Sequence, residues 1–103
     1  MNKLFTFLAT MVLSTASVVF ADGHANKVTI QLKWVTQAQF AGYYVAQDKG
    51  FYDEEGLNVT IKPGGPDIAP AQVLAGGGAD VMVDWMPSAL AAREKGLPLV
   101  NIA

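Results

Sequence analysis

Ile68-Ala69-Pro70-Ala71-Gln72-Val73-Leu74-Ala75-Gly76-Gly77-Gly78-Ala79-Asp80-Val81-Met82-Val83 holds in one run the alternation that decides the fold. Ile68 to Ala75 predicts a short helix, with Pro70 tolerated because a first-turn residue has no intrahelical N–H bond to lose. The three glycines stop it, since helices often end through a left-handed residue that glycine adopts without steric cost. Ala79 to Val83 is then an apolar run of strand length. Upstream, Val28-Thr29-Ile30-Gln31-Leu32-Lys33-Trp34 alternates apolar and polar residues, as a strand does. Phe40 to Lys49 pairs Phe40 with Tyr44 and Ala41 with Val45 at helical spacing, and Gly50 closes it. Leu57 to Ile61 alternates again. Downstream, Pro87 opens a third helix through Lys95, Gly96 closes it, and Leu99 to Ile102 begins a fourth strand. Strand, helix, strand with connections of this length predicts an α/β fold with a mostly parallel sheet and right-handed crossovers.

The ends of the chain carry other signals. Met1, Asn2 and Lys3 give a short positive start, Leu4 to Leu13 is mostly apolar, and Ser14 to Ala21 is rich in small residues. That layout predicts a secretory signal peptide over residues 1–21, because the apolar run is well short of the ~20 residues of a spanning helix. No Cys follows the run, which excludes a lipid-anchored lipoprotein. Residues 22–103 are then the exported part, and with no cysteine anywhere its stability must come from a hydrophobic core. The chain stops at Leu97-Pro98-Leu99-Val100-Asn101-Ile102-Ala103, where a strand is starting, so the expectation is a truncated first part of a larger domain. Alone, it is expected neither to close on a ligand nor to fold well.

Function classes can be thinned from composition. A net charge of −2 without a basic cluster gives no nucleic-acid footprint. There is no Cys, no G-x-S-x-G and no paired-carboxylate arrangement, and the single His24 lies in the lead-in to the first strand. Met82 and Met86 are too few for a soft-metal site. Phe51 to Leu57 is expected to be a surface turn with its aromatics tucked under. No catalytic set, cofactor or metal is expected from these residues.

Ligands of open α/β sheets bind beyond the carboxyl ends of the strands, which nominates three loops. Val35 to Gln39, flanked by Trp34 and Phe40, offers aromatic surface and amides, a mix suited to a neutral planar ring. Trp34 and Phe40 serve either the site or the core, and Gln39 either touches ligand or is solvated. Lys62 to Asp67 contains Gly64 and Gly65, which let backbone amides approach a ligand, while Asp67 either joins them or caps the next helix. Asp84 to Met86 brings a carboxylate and an indole. Asp84 either accepts a hydrogen bond from a ring amino group, pairs with a cation or caps the third helix, and Trp85 either faces ligand or packs on neighbours.

Leu32-Lys33-Trp34, Gly42-Tyr43-Tyr44-Val45-Ala46-Gln47-Asp48-Lys49-Gly50-Phe51-Tyr52 and Glu55-Gly56-Leu57-Asn58-Val59 resemble the opening of thiamine-pyrimidine-precursor binding proteins. Those proteins belong with the alkanesulfonate, taurine and nitrate solute-binding components of ABC importers. Gly64-Gly65-Pro66, Gln72 to Val81 and Ala92 to Val100 fit the same pattern, so the resemblance covers nearly all of residues 22–103. It implies a periplasmic-binding-protein-like (type II) three-layer lobe, the first part of a two-lobed Venus-flytrap protein whose hinge closes over ligand. It implies Trp34, Gly64, Gly65, Asp84 and Trp85 on cleft-facing loops. Where such proteins commonly carry a histidine this chain has Phe40, a stacking surface.

The expectation drawn from residues and resemblance together is the periplasmic substrate-binding component of an ABC importer. Its ligand would be a thiamine pyrimidine precursor of the hydroxymethylpyrimidine type, bound by Trp34, Gln39, Phe40, Gly64, Gly65, Asp84 and Trp85. Its partners would be that small molecule and an inner-membrane permease, with no nucleic acid and a monomeric state. The alternatives are a sulfonate, nitrate or flavin-like ligand, or a pyrimidine-synthesis enzyme on the same fold. A small oxyanion would need a cationic partner that the cleft loops do not offer.

Overall fold

The structure, a computed structural model, describes residues 26–103. The signal peptide expected over residues 1–21 and His24 lie outside the described residues. In chain order the elements are β1 (Asn26–Gln31), a 3-10 turn (Ala38–Phe40), α1 (Ala41–Asp48), α2 (Phe51–Glu54), β2 (Leu57–Lys62), α3 (Pro70–Ala75), β3 (Val81–Met82) and α4 (Met86–Glu94).

The three strands form one parallel sheet in the order β2-β1-β3. β1 pairs with β2 over six residues, Asn26 opposite Leu57 to Gln31 opposite Lys62, but with β3 only through Ile30–Val81 and Gln31–Met82. The short β1–β3 ladder is lengthened by other groups. Thr29 N–H donates to Asp80 Oδ2 at 2.8 Å, so a side-chain oxygen stands where a strand carbonyl would be. Asp80 N–H donates to Thr29 O and Val83 N–H to Gln31 O. The architecture is therefore mixed α/β around a small parallel sheet, as the alternating pattern predicts. With right-handed crossovers the chain passes β1 to β2 on one face and β2 back across β1 to β3 on the other. The order reverses between β1 and β3.

The core sits on the β1–β2 side. Ile30, Leu32, Phe40 and Val59 are buried together, and Trp34, Tyr43, Tyr44, Tyr52 and Val81 are among the half-buried residues packed against them. Gln31 is only 1 % exposed yet polar, and its buried amide is satisfied. Nε2 donates to Leu32 O at 3.0 Å, Pro63 O at 3.2 Å and Lys62 O at 3.4 Å, so one side chain ties the carboxyl ends of β1 and β2 together. Gln47 on α1 does the same for the helix, donating to Val59 O at 2.8 Å.

Several expectations are corrected. β1 ends at Gln31 rather than Trp34: Leu32 N–H still reaches Lys62 O, then the chain bends away through residues 33–36. Phe51 to Leu57 is not a plain turn, because Phe51–Glu54 forms the short helix α2, with Phe51 half-exposed and only Tyr52 tucked against the core. Asp67 does not cap α3, whose N-cap is Ala69 without a side-chain bond. Residues 99–102 form no strand. They border the same groove as β3 but make no ladder with it, and Val100 and Ile102 stay exposed. An apolar sequence becomes a strand only when its backbone groups find a partner.

Candidate functional site

Two loops leave the carboxyl ends of β1 and β3 and meet where the strand order reverses, the crevice in which open α/β sheets hold ligands. From the β1 loop come Lys33 and Trp34; from the β3 loop come Asp84 and Trp85. Lys33 Nζ lies 2.8 Å from Asp84 Oδ1, with only 15 % and 4 % of the two side chains exposed. The same oxygen accepts the Trp85 N–H at 2.8 Å. Lys33 Nζ also sits 4.9 Å from the centre of the Trp85 ring, within cation–π range. Trp34 and Trp85 stack with centroids 6.4 Å apart and planes 26° from parallel. An ammonium, a carboxylate and two indoles thus form one contiguous cluster.

Each member is held from behind. Trp34 packs on the core, as one of its two anticipated roles requires, and stacks on Trp85. Asp84 pairs with a cation and does not cap α4, whose N-cap is Trp85 with no side-chain bond. Trp85 is 56 % exposed, which leaves much of its ring to solvent. The β1 loop is latched by the Thr36 and Tyr44 hydroxyls, 3.0 Å apart.

The remaining anticipated residues divide. Phe40 is 4 % exposed and belongs to the core, where the 3-10 turn delivers it beside Leu32 and Val59. Gln39, on the same turn, is exposed. Gly64 and Gly65 are both buried. A Cβ at Gly64 would stand within 2.6 Å of Leu32 and Lys33 backbone atoms, and Gly64 N–H donates to Trp34 O at 2.9 Å. Gly64 therefore sets the path of the β1 loop by close backbone approach. At Gly65 an added Cβ would meet nothing within 4 Å.

Lys33 is the residue that sequence reasoning passes over. In the alternating run it is one polar strand position among several, and the chain bends there, after β1, where Lys33 meets Asp84. Beside the pair, a cavity of about 250 Å³ opens between α3 and α4, lined by Lys33, Asp84, Pro70, Ser88, Ala92 and Lys95 among others. Neither indole lines it. The pair therefore stands between that cavity and the stacked rings. Such a cluster can offer a planar ligand stacking surface together with adjacent charged donor and acceptor groups.

Comparison with known proteins agrees in kind. Residues 37–103 match the protein family described as NMT1/THI5 like. The chain is similar to a formylaminopyrimidine-binding protein of Halalkalibacterium halodurans, 34% identical over 97 residues, covering 94% of this chain and 28% of that protein. It is similar to a Haemophilus influenzae protein named for thiamine biosynthesis, 32% identical over 101 residues, covering 97% of this chain and 30% of that one. A 4-amino-5-hydroxymethyl-2-methylpyrimidine phosphate synthase of Saccharomyces cerevisiae is 29% identical over 79 residues, 76% of this chain and 23% of the enzyme. The chain thus spans less than a third of the length of these curated relatives. No solved structure matches it.

Proposed function

The chain belongs to the NMT1/THI5-like family, and from that premise we propose that it captures a thiamine pyrimidine precursor for an ABC importer. In this reading residues 1–21 are a cleaved signal peptide. Residues 22–103 build the first part of a type II binding-protein lobe in the periplasm, facing a second lobe across a hinge. The captured molecule passes to a permease in the inner membrane. The observation that carries the reading is the convergence of Lys33, Trp34, Asp84 and Trp85 at the β1–β3 reversal point. The printed name of the Halalkalibacterium halodurans relative supports a pyrimidine as the ligand.

In this proposal the ligand site consists of Trp34 and Trp85 as stacking surfaces with Asp84 and Lys33 as polar contacts. Gly64 holds the β1 loop in place, Phe40 packs beneath it, and Gln39 and Gly65 have supporting places at its margin. A small oxyanion is a weaker fit. The cluster does offer a cation, but Lys33 already neutralises Asp84, and an anion taking another of its donors would have to sit beside that carboxylate, whose charge repels it.

A second reading, a pyrimidine phosphate synthase, is favoured by the relatives of that name in Saccharomyces cerevisiae and Aspergillus parasiticus. One experiment separates the two. The full-length protein is titrated with a hydroxymethylpyrimidine, a formylaminopyrimidine, taurine and nitrate while tryptophan fluorescence is followed, and the bound molecule is then recovered. Saturable quenching by a pyrimidine that returns unchanged supports capture. Chemical conversion of it would move the reading to the enzyme, and a response to the anions alone would discard the pyrimidine.

A further inference from the structure

We infer that Lys33 and Asp84 act together as a donor–acceptor reader for one edge of the bound ring, selecting a 4-aminopyrimidine over its 4-oxo counterpart. The inference rests on the pyrimidine reading above and adds to it the residue pair that sets specificity. Its starting point is an imbalance within the pair. Both of the hydrogen-bond donors that Asp84 meets among the described residues, Lys33 Nζ and Trp85 N–H, fall on Oδ1. Lys33 carries three N–H donors, and Asp84 is its one hydrogen-bonding partner among the described residues.

A pair this enclosed is a poor device for stability alone. Desolvating both charges offsets much of their attraction, and a well-packed apolar pair of the same volume commonly serves the fold as well. What the pair does supply is a donor and an acceptor held side by side, close enough to meet two neighbouring positions of one ring edge. Because each charge neutralises the other, both are kept in place before ligand arrives, with no orphan charge in the empty site. Trp85 fixes the ammonium from the side through its ring face.

The matching edge is that of an amidine within a heteroaromatic ring, an exocyclic amino group next to an unprotonated ring nitrogen. Asp84 Oδ2 accepts from the amino group and Lys33 donates to the ring nitrogen. A 4-oxopyrimidine reverses both positions: its ring N–H meets the ammonium and its carbonyl meets the carboxylate. A site that hydrogen-bonds a ligand rejects a mismatched analogue because its own buried groups are left unpaired.

The test measures binding of 4-amino-5-hydroxymethyl-2-methylpyrimidine and of its 4-oxo analogue to the full-length protein by calorimetry. The proteins are the wild type, Asp84→Asn, and the double variant Lys33→Met/Asp84→Leu, which removes both charges and orphans neither. Thermal melts establish that each is folded. The expected wild-type preference for the amino compound is about 100-fold or more, falling to within about threefold in both variants. Equal wild-type binding of the two compounds, or a preference that survives in the folded double variant, would overturn the inference and leave the pyrimidine reading standing. Failure of the wild type to bind either compound would overturn both.

Discussion

β1 has a strong neighbour and a weak one. Toward β2 it has six paired residues, the Gln31 amide bonded to three carbonyls and a buried cluster that includes Phe40. Toward β3 it has two paired residues extended by Asp80, and α4 beyond contributes no buried residue. The large apolar side chains Trp85, Met86 and Leu90 on that side are each more than half exposed. The cluster of charges and indoles spans this divide: Lys33 and Trp34 stand on the firm side, Asp84 and Trp85 on the thinly held side. Parallel strands in a small sheet are thus not equivalent supports. A cluster set between them joins a well-packed half to a thinly packed one.

The largest predicted effect comes from breaking the firm side. Phe40→Ala removes a core ring and is expected to cost about 4 kcal/mol in urea unfolding followed by circular dichroism. A loss below about 1 kcal/mol would mean that Phe40 is not the packing residue its burial indicates. Next comes the bridge itself. Lys33→Met leaves the Asp84 carboxylate enclosed and unpaired, at an expected cost of about 3 kcal/mol, and adding Asp84→Leu is expected to recover most of it. Non-additivity of that kind, read as a double-mutant cycle, would establish the link between the two sides. If the two single effects simply summed, the sides would be independent.

The glycine pair sharpens the same contrast at smaller scale. Gly64→Ala forces a methyl against the Leu32 and Lys33 backbone and is expected to cost about 2 kcal/mol, with a changed near-ultraviolet signal as Trp34 shifts. Gly65→Ala, with open space around it, is expected to stay within about 0.5 kcal/mol of the wild type. The smallest effect concerns alkali. Burial, with the nearby Tyr43 phenol second, raises the Tyr52 pKa above its ordinary 10.0. The folded state therefore keeps this proton at a pH where the unfolded chain has begun to lose it. Stability from this source is intact below pH 10 and falls as pH rises through that value toward the folded pKa. Tyr52→Phe should flatten that fall, as read by urea midpoints across an alkaline series.

Much of the fold was legible because helix stops and strand alternation are local signals. The Gly50 and Gly96 stops fall where the chain takes positive φ, and in the central glycine run it is Gly77 that does so. Apart from the short helix Phe51–Glu54, where the sequence predicts a turn, the elements differ from expectation by a residue or two, except where pairing decides. Leu99 to Ile102 has strand composition without a ladder, and β1 ends early because the chain bends away through residues 33–36. Loop composition pointed to Trp34, Asp84 and Trp85, and these three do meet. Which loops converge depends on the order β2-β1-β3, a long-range property that no local pattern contains. That is why the alternating run places Lys33 only as a polar residue of a strand. Phe40 shows the converse: an aromatic beside a loop has the same composition whether it lines a cleft or fills a core.

The stacked indoles have one more consequence, and it is optical. Two identical chromophores 6.4 Å apart share their excited states, because their transition dipoles couple through space. Such coupling splits the far-ultraviolet tryptophan band of the dichroism spectrum into lobes of opposite sign, whose size depends on the separation and mutual angle of the rings. Trp34 rides on the β1 loop and Trp85 on the β3 loop, so the splitting tracks the distance between those loops without an added label. The protein carries its own ruler across the junction where its strand order turns back.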